Sequence, residues 1–325
     1  MSVATTETLP QLIGDGRSHA KTILFGEHAV VYGAPAIALP VPRLATTVHI
    51  RAIPLGDDRV TGIHIDSALF TGDAKDAPEH LLPVVTAIRA ALSHVGLPHA
   101  GVSVRIGSTI PHERGLGSSA AVAAAIARAV ADFAHHDLEL EDAHAIVQEA
   151  ERVAHGSPSG LDAHAVIADG PIRFQNGVLS AVRIPEPLTF VIADTGIPGS
   201  TAEAVGDVRT RRRARPAEVD EILRELAEGA ERGAAHLVRA DRPAIGAEMR
   251  RAHELLTALG VSTPGLNSLV AAADRAHAHG AKLTGGGLGG CVIALADSES
   301  HAERLAVALR QAGAPRTWTL TAGGA

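Results

Sequence analysis

Cysteine, aromatic residues and surplus basic charge are all scarce in this chain of 325 residues. A single cysteine excludes a disulfide framework within one molecule and any zinc site built from several cysteines. Aromatic residues make up 2% of the sequence, which argues against a base-stacking surface for single-stranded nucleic acid. The net charge of −7 repels nucleic acid and anionic membranes. We therefore expect neither a nucleic-acid partner nor a membrane partner.

Long apolar segments are also absent. The longest unbroken apolar run, Ala120 to Ala127, is far shorter than the roughly 20 residues of a membrane-spanning helix. The first residues contain no basic segment followed by an apolar one, so no secretory signal is expected. Hydrophobic residues (46%) and charged residues (20%) occur at ordinary globular frequencies. These features predict a soluble, cytoplasmic protein.

The pattern of apolar residues predicts an α+β protein with two domains, as the length also indicates at about 150 residues per domain. The stretch around Pro185 and Pro187 is the expected boundary, so the domains should cover residues 1–185 and 186–325. Strands are predicted at 21–25, 46–53, 102–106, 190–193, 291–295 and 316–320, and helices at 79–95, 119–134, 141–153, 217–240, 243–259, 267–279 and 301–312.

The most informative segment is Pro-His-Glu-Arg-Gly-Leu-Gly-Ser-Ser, residues 111–119, before the alanine-rich helix. Gly115 and Gly117 allow a positive φ and a close approach of the backbone to a ligand. Ser118 and Ser119 open a helix whose first N–H groups have no partner within the helix. Such donors at the positive end of a helix suit a polyphosphate. The segment alone is equally compatible with an ordinary turn and a serine cap, and it is not a Walker A sequence.

A second segment places Lys21, Glu27 and His28 around an apolar strand. Charged groups beside a buried strand are costly unless they are paired or face a ligand. In the alternative interpretation, Lys21 and Glu27 lie at the rim of the fold and His28 is a partly buried, hydrogen-bonded imidazole.

A third segment, residues 151–162, runs from Glu151 at a predicted helix end to Asp162 at the close of a Gly/Pro loop. A carboxylate at a helix C-terminus favours a nearby cation, and Mg²⁺ suits that role if phosphates bind close by. Alternatively, Glu151 pairs with an arginine and Asp162 caps the next turn. A fourth segment, Lys282 to Cys291, contains too many glycines for a simple turn.

Together these segments resemble the GHMP kinase superfamily and, within it, the mevalonate kinases of the bacterial type. Gly-Glu-His-Ala-Val-Val-Tyr-Gly at 26–33 is similar to their N-terminal signature, and Gly-Leu-Gly-Ser-Ser at 115–119 to the ATP loop of the superfamily. His-Gly-Ser-Pro-Ser-Gly-Leu-Asp at 155–162 resembles the segment that ends in the catalytic aspartate. The sequences at 193–201 and 282–291 match further motifs. Ser157 stands where the family has asparagine, and Leu288 interrupts the last glycine run.

The resemblance implies a GHMP kinase fold, with an N-terminal domain like ribosomal protein S5 domain 2 and a ferredoxin-like C-terminal domain. It implies that ATP, with Mg²⁺, phosphorylates the 5-hydroxyl of mevalonate in isoprenoid biosynthesis, and it leaves a homodimer open. Asp162 is then the base and Lys21 its partner, while Ser119 and Glu151 hold the metal. Mevalonate would contact Glu27, His28 and Thr195, and ATP would contact Ser108, Gly115, Leu116, Gly117, Ser118 and Ser119.

Other functions remain to be compared with this one. Another GHMP enzyme, such as phosphomevalonate kinase, would share most of these motifs. A catalytically dead relative that only binds ligands should lack one of Lys21, Ser119, Glu151 and Asp162, and all four are present. The arginines at 209–215 are followed at once by acidic residues, which favours a solvated helix start over a nucleic-acid or anion site.

Overall fold

The computed structural model describes residues 12–53, 62–156 and 158–324, and these fall into two compact units. The first unit contains the chain up to Ser18, then Ala45–Thr109 and Ser119–Gly156. The second contains His19–Leu44, Ile110–Ser118 and the chain beyond residue 157. Each unit is therefore assembled from separate segments of the chain. The division into residues 1–185 and 186–325 stays a prediction. Ser157 lies outside the described residues.

Within these ranges the chain forms eleven strands and nine α helices. The strands are β1 (Ile13–Phe25), β2 (Ala36–Ala52), β3 (Ile63–Ser67), β4 (Thr71–Asp73), β5 (Val102–Ser108), β6 (Ile172–Gln175), β7 (Val178–Ala181), β8 (Leu188–Asp194), β9 (Gly280–Thr284), β10 (Cys291–Leu295) and β11 (Arg316–Ala322). The helices are α1 (Leu82–His94), α2 (Ser118–Phe133), α3 (Leu140–His155), α4 (Leu161–Ala165), α5 (Thr201–Ala214), α6 (Pro216–Leu237), α7 (Arg242–Ala258), α8 (Pro264–Arg275) and α9 (Glu299–Gln311).

Every strand and helix predicted from the sequence is present with shifted ends, and the α+β class is confirmed. The helix α5 was not predicted, because its residues are mostly charged or small and bury only Ala204 and Val208. The strand β9 was not predicted either, because it leads directly into the glycine run at 285–290. The strands β3, β4, β6 and β7 and the helix α4 are short, and short elements carry little periodic signal.

In the first unit, β3 pairs in parallel with β5 and β5 pairs antiparallel with the second half of β2. Half of the residues of the helix α2 are alanine, and the helix lies directly on β1. A Cβ atom at Gly16 would lie 2.0 Å from the carbonyl oxygen of Ala125, and one at Gly14 would lie 2.3 Å from that of Ala129. Glycine in the strand and alanine in the helix therefore allow the two backbones to pack unusually closely.

In the second unit, four strands form an antiparallel sheet in the order β11-β8-β10-β9. All residues of β8, β9 and β10 are buried, so these strands lie at the centre of the unit. Their apolar side chains pack with those of α5 to α9 in one continuous core. The first residues of β2 pair with β6, which forms a hairpin with β7. No helix among the described residues has the length and apolar character needed to cross a bilayer.

Candidate active site

Lys21 and Asp162, the predicted catalytic pair, are in contact. The Nζ of Lys21 on β1 lies 2.8 Å from the Oδ1 of Asp162, and both residues belong to the second unit. The ammonium group is buried, whereas the side chain of Asp162 is 37% exposed. Lys21 therefore does not lie at the rim of the fold, as the alternative interpretation had it. Asp162 lies in the first turn of α4, so its predicted position at the end of a loop was wrong. The helix α4 has only five residues, and so short a helix leaves little signal in the sequence.

The glycine-rich loop packs against this lysine. The backbone N–H of Lys21 donates a hydrogen bond to the carbonyl of Leu116 at 3.0 Å. A Cβ atom at Gly117 would lie 2.9 Å from the Cγ of Lys21, so only glycine allows the loop to lie along the lysine stem. Gly115 and Gly117 have φ angles of 72° and 71°, as their residue type predicts. The loop and the Lys21–Asp162 pair therefore form one local arrangement.

The loop leads directly into the N-terminus of α2, which begins at Ser118. Ser119 is thus the second residue of the helix rather than its cap. On the other side, a Cβ atom at Gly115 would lie 3.2 Å from the Cα of Gly285, the first glycine of the run after β9. Two glycine-rich segments hence meet beside an N-terminal helix end, where backbone N–H donors and the helix dipole favour phosphate.

Glu27 forms a buried ion pair that the sequence analysis did not foresee. Its Oε1 accepts a hydrogen bond from the Nζ of Lys282, which also donates to the carbonyl of Leu283 at 2.7 Å. Both side chains are buried, so Glu27 does not lie at the rim of the fold either. Burial raises the pKa of Glu27 and lowers that of Lys282, and each charge opposes the shift of the other.

The second carboxylate oxygen of Glu27 can still accept a hydrogen bond. Among the described residues, Oε2 of Glu27 has no hydrogen-bond partner although it is buried. An unpartnered buried acceptor is costly, and a ligand hydroxyl would relieve that cost. The assignment of Glu27 to mevalonate stays a prediction. Lys282 could have been recognised as part of the site, because it is the one charged residue in an otherwise apolar or small strand segment, Gly-Ala-Lys-Leu-Thr.

His28 is held by the same glycine run. The Nε2–H of its ring donates to the carbonyl of Gly286 at 2.9 Å, and its backbone has a φ of 59°, which is rare for a residue with a side chain. Burial lowers the pKa of His28 below its usual 6.5, so the ring is neutral at pH 7. With Nε2 protonated, Nδ1 is the acceptor. The structural role considered for His28 is therefore present, and its contact with substrate stays a prediction.

Thr195 follows β8 and connects the next turn to the glycine run at 285–290. Its Oγ1 donates to the carbonyl of Gly290 at 2.8 Å and accepts from the backbone N–H of Ile197 at 3.2 Å. Its backbone N–H donates to the same carbonyl of Gly290 at 2.9 Å. The hydroxyl proton is thus engaged, and a contact of Thr195 with mevalonate stays a prediction.

Three predicted site residues belong to the first unit. Ser108 ends β5, and its hydroxyl lies 2.9 Å from that of Thr46. Ser119 lies in the first turn of α2. Glu151 is buried in α3, which continues about one turn beyond it to His155, so Glu151 does not end the helix. The Nε2 of His155 lies 3.7 Å from Glu151, where the alternative interpretation expected an arginine.

In the described ranges, no group of three or more histidine, cysteine or acidic residues could hold a metal. A site of one carboxylate, one hydroxyl and phosphate oxygens, as predicted for Mg²⁺, would not form such a group.

The arginine cluster pairs with the acidic residues that follow it. Arg211 bonds Glu218 at 2.6 Å and Arg212 bonds Asp220 at 2.5 Å. Arg212 also lies 4.6 Å from the centre of the Tyr32 ring. These contacts support the interpretation as a solvated, ion-paired stretch where α5 ends and α6 begins.

Comparisons with known proteins agree with this geometry. The model of the GHMP kinases N terminal domain matches residues 83–170, and that of the GHMP kinases C terminal matches residues 234–315. The chain is 37% identical over 308 residues to the mevalonate kinase of Thermococcus gammatolerans, covering 89% of this chain and 91% of that protein. It is 36% identical over 310 residues to that of Pyrococcus furiosus, covering 90% and 92%. The chain belongs to the mevalonate kinase family of the GHMP kinases.

A solved structure extends the likeness to three dimensions. The L. major mevalonate kinase in complex with R-mevalonate superposes with a TM-score of 0.80 at 27% identity, and 98% of each chain is covered. The family resemblance and the GHMP kinase fold predicted from the sequence are thereby confirmed. Membership of a kinase family implies ATP as the phosphate donor.

Proposed function

We propose that this protein transfers the γ-phosphate of ATP to the 5-hydroxyl of mevalonate, giving 5-phosphomevalonate and ADP in isoprenoid biosynthesis. The observation that carries the proposal is the Lys21–Asp162 pair, which lies against a glycine-rich loop at a helix start. The names of the relatives support mevalonate as the acceptor.

Asp162 would act as the base for the acceptor hydroxyl. A primary alcohol is essentially un-ionised at neutral pH, so its proton must leave as the oxygen bonds the γ-phosphorus and the bond to ADP breaks. The exposed carboxylate of Asp162 can receive that proton. Lys21 would orient Asp162 and offset negative charge that develops on the transferred phosphoryl group. In a loose transition state, positioning and charge neutralisation supply most of the rate acceleration.

The hydroxyl groups of the acceptor would be held by hydrogen-bond acceptors on Glu27 and His28. Oε2 of Glu27 and Nδ1 of His28 can accept hydrogen bonds from hydroxyl groups, and Thr195 would complete the set. A site built to bond a hydroxyl discriminates strongly against analogues that lack it, because its buried polar groups are then left unpaired. Mevalonate analogues without the 3-hydroxyl should therefore be poor substrates.

ATP would lie along the loop of Gly115, Leu116, Gly117 and Ser118, with Ser108 and Ser119 as further contacts. Mg²⁺ would be held by Ser119 and Glu151. The donor set fits, because a hydroxyl and a buried carboxylate are the hard oxygen ligands that Mg²⁺ prefers beside phosphates. When bound, the ion would neutralise charge on the phosphates. Cytoplasmic location and a homodimer stay predictions.

One assay distinguishes this function from another GHMP kinase activity and from a protein that only binds ligands. Release of ADP from ATP should depend on added mevalonate and should be much slower with phosphomevalonate or with no acceptor. Phosphorus NMR should identify the product as 5-phosphomevalonate. Preference for phosphomevalonate would assign the protein to a different GHMP activity, and binding of ATP without turnover on either acceptor would indicate a binding protein.

A further inference from the structure

A fully buried carboxylate lies next to the glycine-rich loop and is not used by the mechanism above. Asp194 ends β8, where its backbone is held between Cys291 of β10 and Arg316 of β11. Its Oδ1 accepts from the Nε of Arg114 at 2.9 Å and from the backbone N–H of Gly196 at 2.8 Å. Its Oδ2 accepts from the Nη2 of Arg316 at 2.8 Å. Asp194 is therefore a rigid, well-bonded anchor in the centre of the second unit.

Arg114 connects this anchor to the loop. It directly precedes Gly115, and its side chain is only 13% exposed. Nη1 donates to the carbonyls of His112 and Glu113 at 3.1 and 3.2 Å, and Nη2 donates to the carbonyl of Gly196 at 3.1 Å. With Nε bonded to Asp194, every nitrogen of the guanidinium group has a partner. Such a planar set of donors fixes geometry far better than a single ammonium group.

The backbone that Arg114 holds is strained and crowded. Glu113 has a φ of 56°, a conformation that is unfavourable for a residue with a side chain and must be held by its surroundings. Its carbonyl also accepts from the N–H of Gly199 at 2.9 Å. A Cβ atom at Gly290 would lie 3.0 Å from the carbonyl oxygen of Arg114, so the glycine run at 285–290 also confines this backbone. The backbone that leads into the loop is thus held by hydrogen bonds from Arg114 and Gly199 and by close packing against Gly290.

We propose that Arg114 is a positioning residue that, through its bond to Asp194, fixes the glycine-rich loop in the shape that binds ATP. The inference rests on the proposed role of this loop in nucleotide binding. A loop that is already ordered loses little conformational entropy when ATP binds. A loosened loop must be ordered on binding, and that entropy cost weakens the affinity for ATP. Arg114 makes no contact with mevalonate in this account, so its loss should weaken ATP binding selectively.

Arg316 offers a matched control, because it bonds the same carboxylate but, within the described part of the chain, makes no hydrogen bond or ion pair with the loop. ATP affinity should be measured by calorimetry without mevalonate, alongside the KM for each substrate and the melting temperature. In Arg114→Met, ordering one or two loop residues on binding should raise the Kd for ATP by about tenfold or more. The KM for mevalonate should stay within about twofold of wild type, as expected for a residue remote from that substrate. Arg316→Met should lower the melting temperature and leave the Kd for ATP unchanged.

A second variant keeps the test decisive if Arg114→Met does not fold. Arg114→Lys keeps a cation beside Asp194 but loses the fork of donors, so it should fold and bind ATP with an affinity between wild type and Arg114→Met. Wild-type ATP affinity in folded Arg114→Met or in Arg114→Lys overturns the proposal, as does an equal loss in Arg316→Met. Because ATP binding is measured without an acceptor, this result is independent of whether mevalonate is the substrate.

Discussion

The ammonium group of Lys21 lies 2.8 Å from the carboxylate of Asp162, yet only Asp162 is reached by solvent. A buried ammonium needs a partner, whereas an exposed carboxylate can still meet a substrate. Both residues lie in the same compact unit, so the pair is not a salt bridge between the two units. The arrangement is that of a buried cation beside an accessible carboxylate, as the proposed role of Asp162 as a base requires.

Asp162→Asn should fold and bind both substrates nearly as wild type, because the amide has the same shape and its Oδ1 can still accept a hydrogen bond from the buried ammonium of Lys21. Its kcat should fall by at least ~10²-fold, the usual scale for a lost general base. Steady-state kinetics and a thermal melt test this together. Lys21→Met should behave similarly, and the double variant should cost much less than the product of the two single effects, because the residues act as a unit. A well-folded Asp162→Asn enzyme with near wild-type kcat would contradict the mechanism.

Glu151→Gln should lower kcat strongly and raise the Mg²⁺ concentration needed for half-maximal rate, because the amide is a weaker ligand than the carboxylate. The measurement is a Mg²⁺ titration of the initial rate at saturating ATP and mevalonate. Glu149→Gln, at an exposed position of the same helix, is the matched control and should titrate as wild type. An unchanged Mg²⁺ requirement in Glu151→Gln removes this residue from the metal site.

The parts of the site that could be predicted are those carried by short, local sequence patterns. By residue type alone, Gly115, Gly117 and the serines fit either a phosphate loop or an ordinary capped turn, and the family resemblance favoured the first and paired Lys21 with Asp162. The Glu27–Lys282 pair could not be foreseen, because its partners are 255 positions apart and no periodicity links them. The role of Arg114 was equally hidden, because a loop arginine is usually solvated and only the fold brings Asp194 to it.

Cys291 should be inert in the folded protein. Burial, with the nearby carboxylate of Asp194, raises the pKa of its thiol, so the reactive thiolate is scarce at neutral pH. Iodoacetamide should leave the native protein unlabelled over hours and modify one thiol per chain after denaturation, as read by intact mass. Catalytic activity should survive the native treatment. Rapid labelling of the native protein would show that the strand β10 opens or that the thiol is activated.

Acid should destabilise the protein through three imidazoles that are buried or half-buried. Burial lowers the pKa of His28, His144 and His253 below the usual 6.5. Between the folded pKa and 6.5 the unfolded chain binds more protons, so stability is complete above about pH 6.5 and falls as the pH drops through that window. The free energy of unfolding in urea, measured from pH 7.5 to 5.5, should therefore decrease.

The share of this effect that comes from His28 can be isolated. His28→Gln should show a smaller loss of stability over the same pH range, because one lowered pKa has been removed. His135→Gln, at an exposed position, controls for the substitution itself. A pH dependence in His28→Gln equal to that of wild type would mean that His28 is not buried in its neutral form.

The Glu27–Lys282 pair allows stability and substrate binding to be separated. Lys282→Met leaves Glu27 buried without its cation, which should cost about 3–5 kcal/mol of unfolding free energy. Combining it with Glu27→Leu removes both charges, so the double variant should recover most of that loss in urea unfolding.

The recovered protein would nevertheless lack Oε2 of Glu27, the buried acceptor assigned to a hydroxyl of mevalonate. Its KM for mevalonate should therefore be raised while the Kd for ATP stays near wild type. A stable double variant with an unchanged KM for mevalonate would confine Glu27 to a structural role, and a Lys282→Met cost below about 1 kcal/mol would show that the pair does not support the fold.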